Sequence, residues 1–329
     1  MIMGVGMAIQ IINIALYAFA RDWTWILLAM LLNPFMQALM MRSQTIMISK
    51  GLKDEDRAQG FAFRSVIAQV IGIVAPIPAA LIIDYFGGLT VEGIRPLFYV
   101  RLAGLLVIYS YVYMKLYDVP PELREKKSSF VQDFREVFKG GEGLYAWIAQ
   151  SALGSFIMGM FMSFTFLYAK DVKGADALTL GLLTTASTIV MIVFSLPMSR
   201  LADTRGRRLA VLITRSFRFL WMLILVFAPH PYWLIVAWIC RGISMSGNTF
   251  QTWSLELVPP EQRGRWLGVT NTINAIVRIP TPILGGILYK DFNPSLIFLI
   301  PLVLEVFLRV PLLAFKVPET LRNVPQKMA

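Results

Sequence analysis

The chain has 329 residues, of which 57% are hydrophobic and 16% charged, and its mean hydropathy is +0.63. That is too apolar for a water-soluble enzyme of this size and points to a polytopic membrane protein. The net charge of +11 would suggest nucleic acid in a soluble chain, but here it follows from an excess of Lys and Arg in cytoplasmic loops, so no nucleic-acid partner is expected.

A helical span needs about 20 apolar residues, and ten runs of that kind follow one another along the chain: 2–20, 24–49, 62–84, 95–116, 144–168, 177–199, 209–228, 232–255, 266–289 and 294–316. They are rich in Leu, Ile, Met and Phe and lack a two-residue alternation, so they are expected to be helices rather than barrel strands. The first run has no basic residues before it and no small-residue cleavage site after it, because Arg21-Asp22-Trp23 leads directly into the next run. It reads as a span and not as a signal peptide. Alternate loops hold 18 and 5 Lys and Arg residues, which places the richer set and both termini of this chain in the cytoplasm, as for a plasma-membrane protein.

Between the fourth and fifth runs lies the longest connection, 118–143, dividing an N-terminal half-bundle at 1–117 from a C-terminal one at 144–329. Val119-Pro120-Pro121 stops the preceding helix, and Ser128 and Ser129 can cap a short one. Its Phe130, Phe134, Val137 and Phe138 recur at helical spacing beside Lys126, Lys127, Arg135 and Lys139. This linker is expected to lie on anionic membrane lipid. Later in the chain, Cys240 has no second cysteine to pair with, and His230 has no second histidine to complete a metal site. Neither a metal nor a cofactor is expected.

A constant offset of 206 aligns the third run with the ninth without gaps. Arg57 falls on Arg263, Ile67 on Ile273, Pro76 on Pro282, Ile77 on Ile283 and Phe86 on Phe292. The chain therefore reads as two related halves of one membrane orientation. By the same offset, the runs at 144–168 and 177–199 and the charged stretch after them would have counterparts before Met1. Two helices of a twelve-helix plan are thus expected to be missing from this sequence.

That charged stretch is Ser199-Arg200-Leu201-Ala202-Asp203-Thr204-Arg205-Gly206-Arg207-Arg208. Gly206 suits a sharp turn between spans, the arginines anchor it at the cytoplasmic side, and Asp203 can cap a helix end or pair with an arginine of a neighbouring helix. The stretch resembles the loop signature of the major facilitator superfamily, Gly-x-Leu-Ala-Asp-Arg-x-Gly-Arg-Arg, with Ser199 and Thr204 as departures. Arg241-Gly242, Gly247 and Glu256 to Gly264 are similar to the pattern running out of the fourth helix of a half. The resemblance implies an all-α, two-half helical bundle of which ten transmembrane helices are present. It also implies alternating access, with Asp203, Gly206, Arg207 and Arg208 as a gating motif that biases outward-open against inward-open states.

Charged residues inside spans are costly and point to function. Arg64 and Arg101 lie near span ends, and Arg215 and Arg218 could reach the cytoplasmic headgroups. Arg42, Arg241, Arg278 and Arg309 remain. Arg241, Ser244, Asn248 and Gln251 form one polar stripe, Asn271, Asn274 and Arg278 another. Asn33, Gln37 and Gln44 make a weaker stripe in the first half. Glu305 could carry a coupling proton, or could pair with Arg309 four residues on. The expectation is a secondary transporter with a central site of Arg42, Arg241, Asn248, Gln251, Asn274 and Arg278. Its solute leans to an anionic or polar organic compound and is coupled to a proton or ion. Efflux of amphipathic compounds and a non-transporting sensor or scaffold are the alternatives. An enzyme is not expected, because no nucleophile and base recur at catalytic spacing.

Overall fold

The computed structural model describes residues 2–33, 36, 39, 40, 57–115 and 143–320. Among these the secondary structure is helical, without a strand. Six helices are long and apolar enough to cross a membrane: Phe63–Tyr85, Val91–Lys115, Leu144–Asp171, Ala177–Arg205, Arg207–Phe227 and Leu296–Lys316. That measure is taken over the described residues and falls short of ten. The runs at 232–255 and 266–289 are each split into two shorter helices, the first is only 17 residues long, and most of 24–49 lies outside the described residues. The linker at 118–143, save Gly143, also lies outside them.

The chain divides into two compact units, Met1–Glu125 with Asp176–Leu182, and Lys126–Ala175 with Leu183–Ala329. In the first, helix α1 (Ile2–Ala18) is followed by α2 (Trp23–Asn33), α3 (Arg57–Val74), α4 (Pro76–Tyr85) and α5 (Val91–Lys115). Tyr17 stacks on Phe98 at 5.4 Å, and the Tyr109 hydroxyl donates to Gln10 Oε1, so α1 lies along α5. Asn13 Nδ2 donates to the Ala29 carbonyl at 2.5 Å, which satisfies a buried amide against α2.

The second unit contains α6 (Leu144–Met162), α7 (Thr165–Asp171), α8 (Ala177–Arg205) from Leu183 onward, α9 (Arg207–Phe227), α10 (Trp233–Ser244), α11 (Thr249–Glu256), α12 (Arg263–Arg278), α13 (Thr281–Asp291) and α14 (Leu296–Leu304). After α14 the helix widens to π turns at Glu305–Arg309 and Leu312–Lys316. Pro301 and Pro311 each remove a backbone N–H and press on the carbonyl four residues back, and a looser helix relieves both effects. The core is built on tryptophan. Trp147 packs against Trp253 at 5.4 Å, with Trp266, Val211 and Leu313 around them. The indole of Trp253 donates to the Pro318 carbonyl at 3.0 Å and that of Trp266 to the Ser254 carbonyl at 2.9 Å, so these buried polar atoms are satisfied.

The 206-residue offset reappears in the helix boundaries. Helices α3 and α4 together run Arg57–Tyr85 with a break before Pro76. Helices α12 and α13 run Arg263–Asp291 with a break before Thr281-Pro282. The ends, Tyr85 and Asp291, differ by the offset, and each pair is interrupted beside a proline at the matching position, Pro76 and Pro282.

Candidate functional site

At the end of the second unit that carries its basic loops, Arg205 closes α8 and Arg207 opens α9, so Gly206 alone joins two long helices. Its φ of 112° lies in the region that favours glycine. Asp203 sits in the last turn of α8 and pairs with Arg207, four residues on, at the far side of the turn. Its partner is thus the first residue of the next helix, within the motif itself. Arg207 also grips Glu256 at 2.9 Å. The exposed first N–H groups of α9 are satisfied from far along the chain: Arg207 N–H donates to Glu319 Oε1 at 3.0 Å and Arg208 N–H to Oε2 at 2.9 Å. A carboxylate here meets both the orphan donors and the positive end of the helix. The Arg208 guanidinium adds a bond to the Val317 carbonyl at 2.8 Å. Glu256 and Glu319 are partners that sequence reasoning missed, since each is tens of residues away.

Further into the same unit is a cavity of about 420 Å³, lined from α6, α9, the α10–α11 junction, α12 and the π turn. Beside it, Glu305 is fully buried and held by two guanidiniums: Arg215 NH1 and Arg309 NH1 each donate to its Oε1 at 3.0 Å. Arg309 Nε donates in addition to the Gln150 carbonyl at 3.0 Å. Both guanidiniums lie over the ring of Phe250, at 5.3 and 5.7 Å, and Phe250 itself stacks on Trp147 at 4.7 Å. Arg215 is 6% exposed, so it does not reach the headgroups as the sequence suggested. It faces inward because Glu305 lies opposite it on another helix. Gly154 makes room for the cluster, since a Cβ there would come within 2.2 Å of the Arg309 guanidinium.

The expected site residues are distributed unevenly. Asn274 and Arg278 line the cavity, as does Arg218, which sequence analysis assigned to the headgroups. Asn274 Nδ2 donates to Ser151 Oγ at 2.9 Å. Its Oδ1 is buried with no hydrogen-bond partner among the described residues. Arg241 is half-buried elsewhere, over the Trp221 ring at 5.8 Å and 3.4 Å from Ser187 Oγ. Asn248 and Gln251 are exposed on the unit and are not on the cavity wall. The expected continuous helix is interrupted at Met245-Ser246-Gly247-Asn248, with Gly247 at a φ of 73°, and this break rotates Asn248 and Gln251 out of line with Arg241 and Ser244. In exchange it puts Ser246, Gly247 and the first residues of α11 on the wall. Arg42 and Gln37 lie outside the described residues. Among the described residues no cluster of His, Cys, Asp or Glu could hold a metal ion.

Comparison with known proteins fits this architecture. The model of the family described as Major Facilitator Superfamily matches residues 1–279 and again 170–328. The chain is similar to organic cation/carnitine transporter 7 of Arabidopsis thaliana, 25% identical over 124 residues, covering 37% of this chain and 24% of the relative. It is also similar to the uncharacterized MFS-type transporter YhjO of Bacillus subtilis (strain 168), 27% identical over 172 residues, covering 52% of this chain and 42% of the relative. The matched regions thus span less than half the length of these relatives. Among solved structures, a bacterial homolog of the human lysosomal transporter Spinster, inward-facing and unoccupied, shares the fold at a TM-score of 0.63 and 16% identity, covering 96% of this chain and 81% of that one. The E. coli fucose:proton symporter FucP does so at 0.58 and 13%, covering 96% and 83%. By its helices and by a family match that extends over nearly its whole length, this chain is a multi-pass integral membrane protein of the major facilitator superfamily.

Proposed function

We propose that the protein is a secondary transporter that moves a small anionic or polar organic solute by alternating access. The observation that carries this reading is the composition of the cavity wall. Among the described residues, Arg215, Arg218, Arg278 and Arg309 stand there against a single acid, Glu305, beside it. Its volume of about 420 Å³ lies within the range of small-molecule sites. One relative is named for organic cations and carnitine, but an excess of guanidinium charge in a low-dielectric wall repels a simple cation. The motif of Asp203, Gly206, Arg207 and Arg208 supports a gate at the end of the unit that we place in the cytoplasm, with the chain in the plasma membrane. Arg42, Arg241, Asn248 and Gln251 remain proposed contacts of a larger site. Glu305, bonded to two arginines, is better suited to fixing them than to carrying a coupling proton. The coupling ion of this reading is then carried elsewhere.

Reconstituted into proteoliposomes, the protein is expected to give saturable uptake of organic anions in preference to cations of equal size. Equal uptake of choline and succinate would refute the anion preference, and specific ligand stabilisation without any flux would favour a sensor.

A further inference from the structure

The wall holds four arginines, but they are not equivalent. Arg215 and Arg309 share Glu305, so the three together carry one positive charge; Arg215 NH1 donates to Glu305, and Arg309 donates to Glu305 and Gln150. The side chains of Arg218, half-buried, and Arg278, exposed, line the same cavity and have no hydrogen bond or ion pair among the described residues. A guanidinium has five donors and cannot shed its proton in a protein. Two of them facing one cavity without acceptors leave a demand for negative charge that the protein does not meet. A separate feature points the same way. The break at 245–248 makes Thr249 the first residue of α11, and Gly247, Thr249 and Phe250 are on the wall. The orphan N–H groups and positive dipole end of an interrupted helix therefore open on the cavity. Finally, the unpaired buried Asn274 Oδ1 is an acceptor at the same wall, and only a hydrogen-bond donor satisfies it.

We propose that this cavity is a site for a small organic dianion, a dicarboxylate or a phosphate monoester that also bears a hydroxyl group. Arg218 and Arg278 grip the anionic groups, and the hydroxyl donates towards Asn274 after a small shift of the amide. Glu305 does not touch the solute. It sets the charge of the wall by neutralising one of the two arginines beside it, so the site prefers two negative charges over three. This assignment deepens the transport reading and rests on it for its biological meaning, but it is a statement about binding and can be tested without flux.

The test is equilibrium binding to the purified full chain in lipid nanodiscs at low salt, with malate, succinate, glycerol 3-phosphate, lactate, glycerol and choline as probes. On the unmodified protein the dianions are expected to bind at least tenfold more tightly than lactate, malate more tightly than succinate, and glycerol and choline not measurably. Malate against glycerol 3-phosphate separates the carboxylate from the phosphate form. R218Q and R278Q are each expected to weaken dianion binding about ten- to a hundredfold, the range of a lost charge-assisted hydrogen bond. K290Q, which removes a charge from an exposed residue in the last turn of α13, is expected to leave it within twofold. Affinity that ignores ligand charge on the unmodified chain overturns the proposal, and so does succinate binding that survives both R218Q and R278Q. The charge series on the unmodified chain decides the matter even if a variant fails to fold. A chain that binds dianions through these arginines yet moves none of them in liposomes keeps the site and refutes the transport reading. A chain that carries solutes without regard to their charge does the reverse.

Discussion

At Gly206 the backbone takes a φ of 112°, and a Cβ there would lie 3.0 Å from Glu319 Oε2. Gly206→Ala therefore meets strain and crowding together. A loss of about 1–3 kcal/mol in stability is expected, read by denaturation in detergent, and an unchanged midpoint would show that the turn is not held this tightly. Glu305 is a stronger case, because removing it leaves two buried guanidiniums uncompensated. Glu305→Gln is expected to cost about 3–5 kcal/mol, whereas replacing Arg215, Glu305 and Arg309 together by apolar residues of similar volume is expected to cost far less. If the single and triple variants were equally unstable, packing and not charge would explain the cluster. Outside the spans, Asp176 accepts the Thr179 N–H at 2.7 Å at the start of α8, and hydrogen bonds from Thr179 hold its carboxyl below the usual aspartate value. Its folded pKa is depressed, so its contribution is present above the unfolded pKa and lost as pH falls through the folded one. Asp176→Ala is expected to cost about 1 kcal/mol at neutral pH and to show no such difference in strong acid. A difference that persisted in acid would argue against the cap.

Among the elements, the close passage of α6 against the π turn after α14 depends on Gly154. A valine there drives its side chain into the Arg309 guanidinium, so Gly154→Val is expected to destabilise the unit by about 1–3 kcal/mol and to weaken anion binding, while variants at exposed Gly264 do neither. Retained binding in Gly154→Val would show that Arg309 can leave its recess without consequence. Element positions were largely legible in the sequence. Lipid imposes long apolar runs, and the 206-residue offset survives in the helix breaks and ends because Pro76 and Pro282 sit at matching places. The interruption at 245–248 was not legible, since one glycine in an apolar run reads as tolerated packing until its φ is known. The same break explains why a helical spacing of 3 and 4 holds for Arg241 and Ser244, which share α10, and does not extend to Asn248 and Gln251. Arg215 and Arg218 were assigned to the headgroups because distance from a span end does not reveal which way a side chain turns. Only the fold brings Glu305, 90 residues away, to Arg215.

For the molecule as a whole, the second unit contains both the motif proposed as a gate and the cavity, and both are organised by α9. Its first residues are tied to Glu256 and Glu319, and Arg215 and Arg218 lie farther along it. A rigid helix that is clamped at one end and carries solute-facing charge farther along can couple the gate to the site. Asp203→Asn, which removes the Asp203–Arg207 pair and leaves the ties to Glu256 and Glu319, is therefore expected to change the rate of exchange while leaving dianion affinity within about threefold; a large loss of affinity in that variant would place Asp203 in the site itself. The most direct test of the central claim is uptake of radiolabelled malate by proteoliposomes containing the purified chain. Saturable uptake, inhibited by succinate but not by choline and reduced at least tenfold in R278Q, is the predicted result. Uptake no greater than in empty liposomes, from protein shown to be folded, would contradict it.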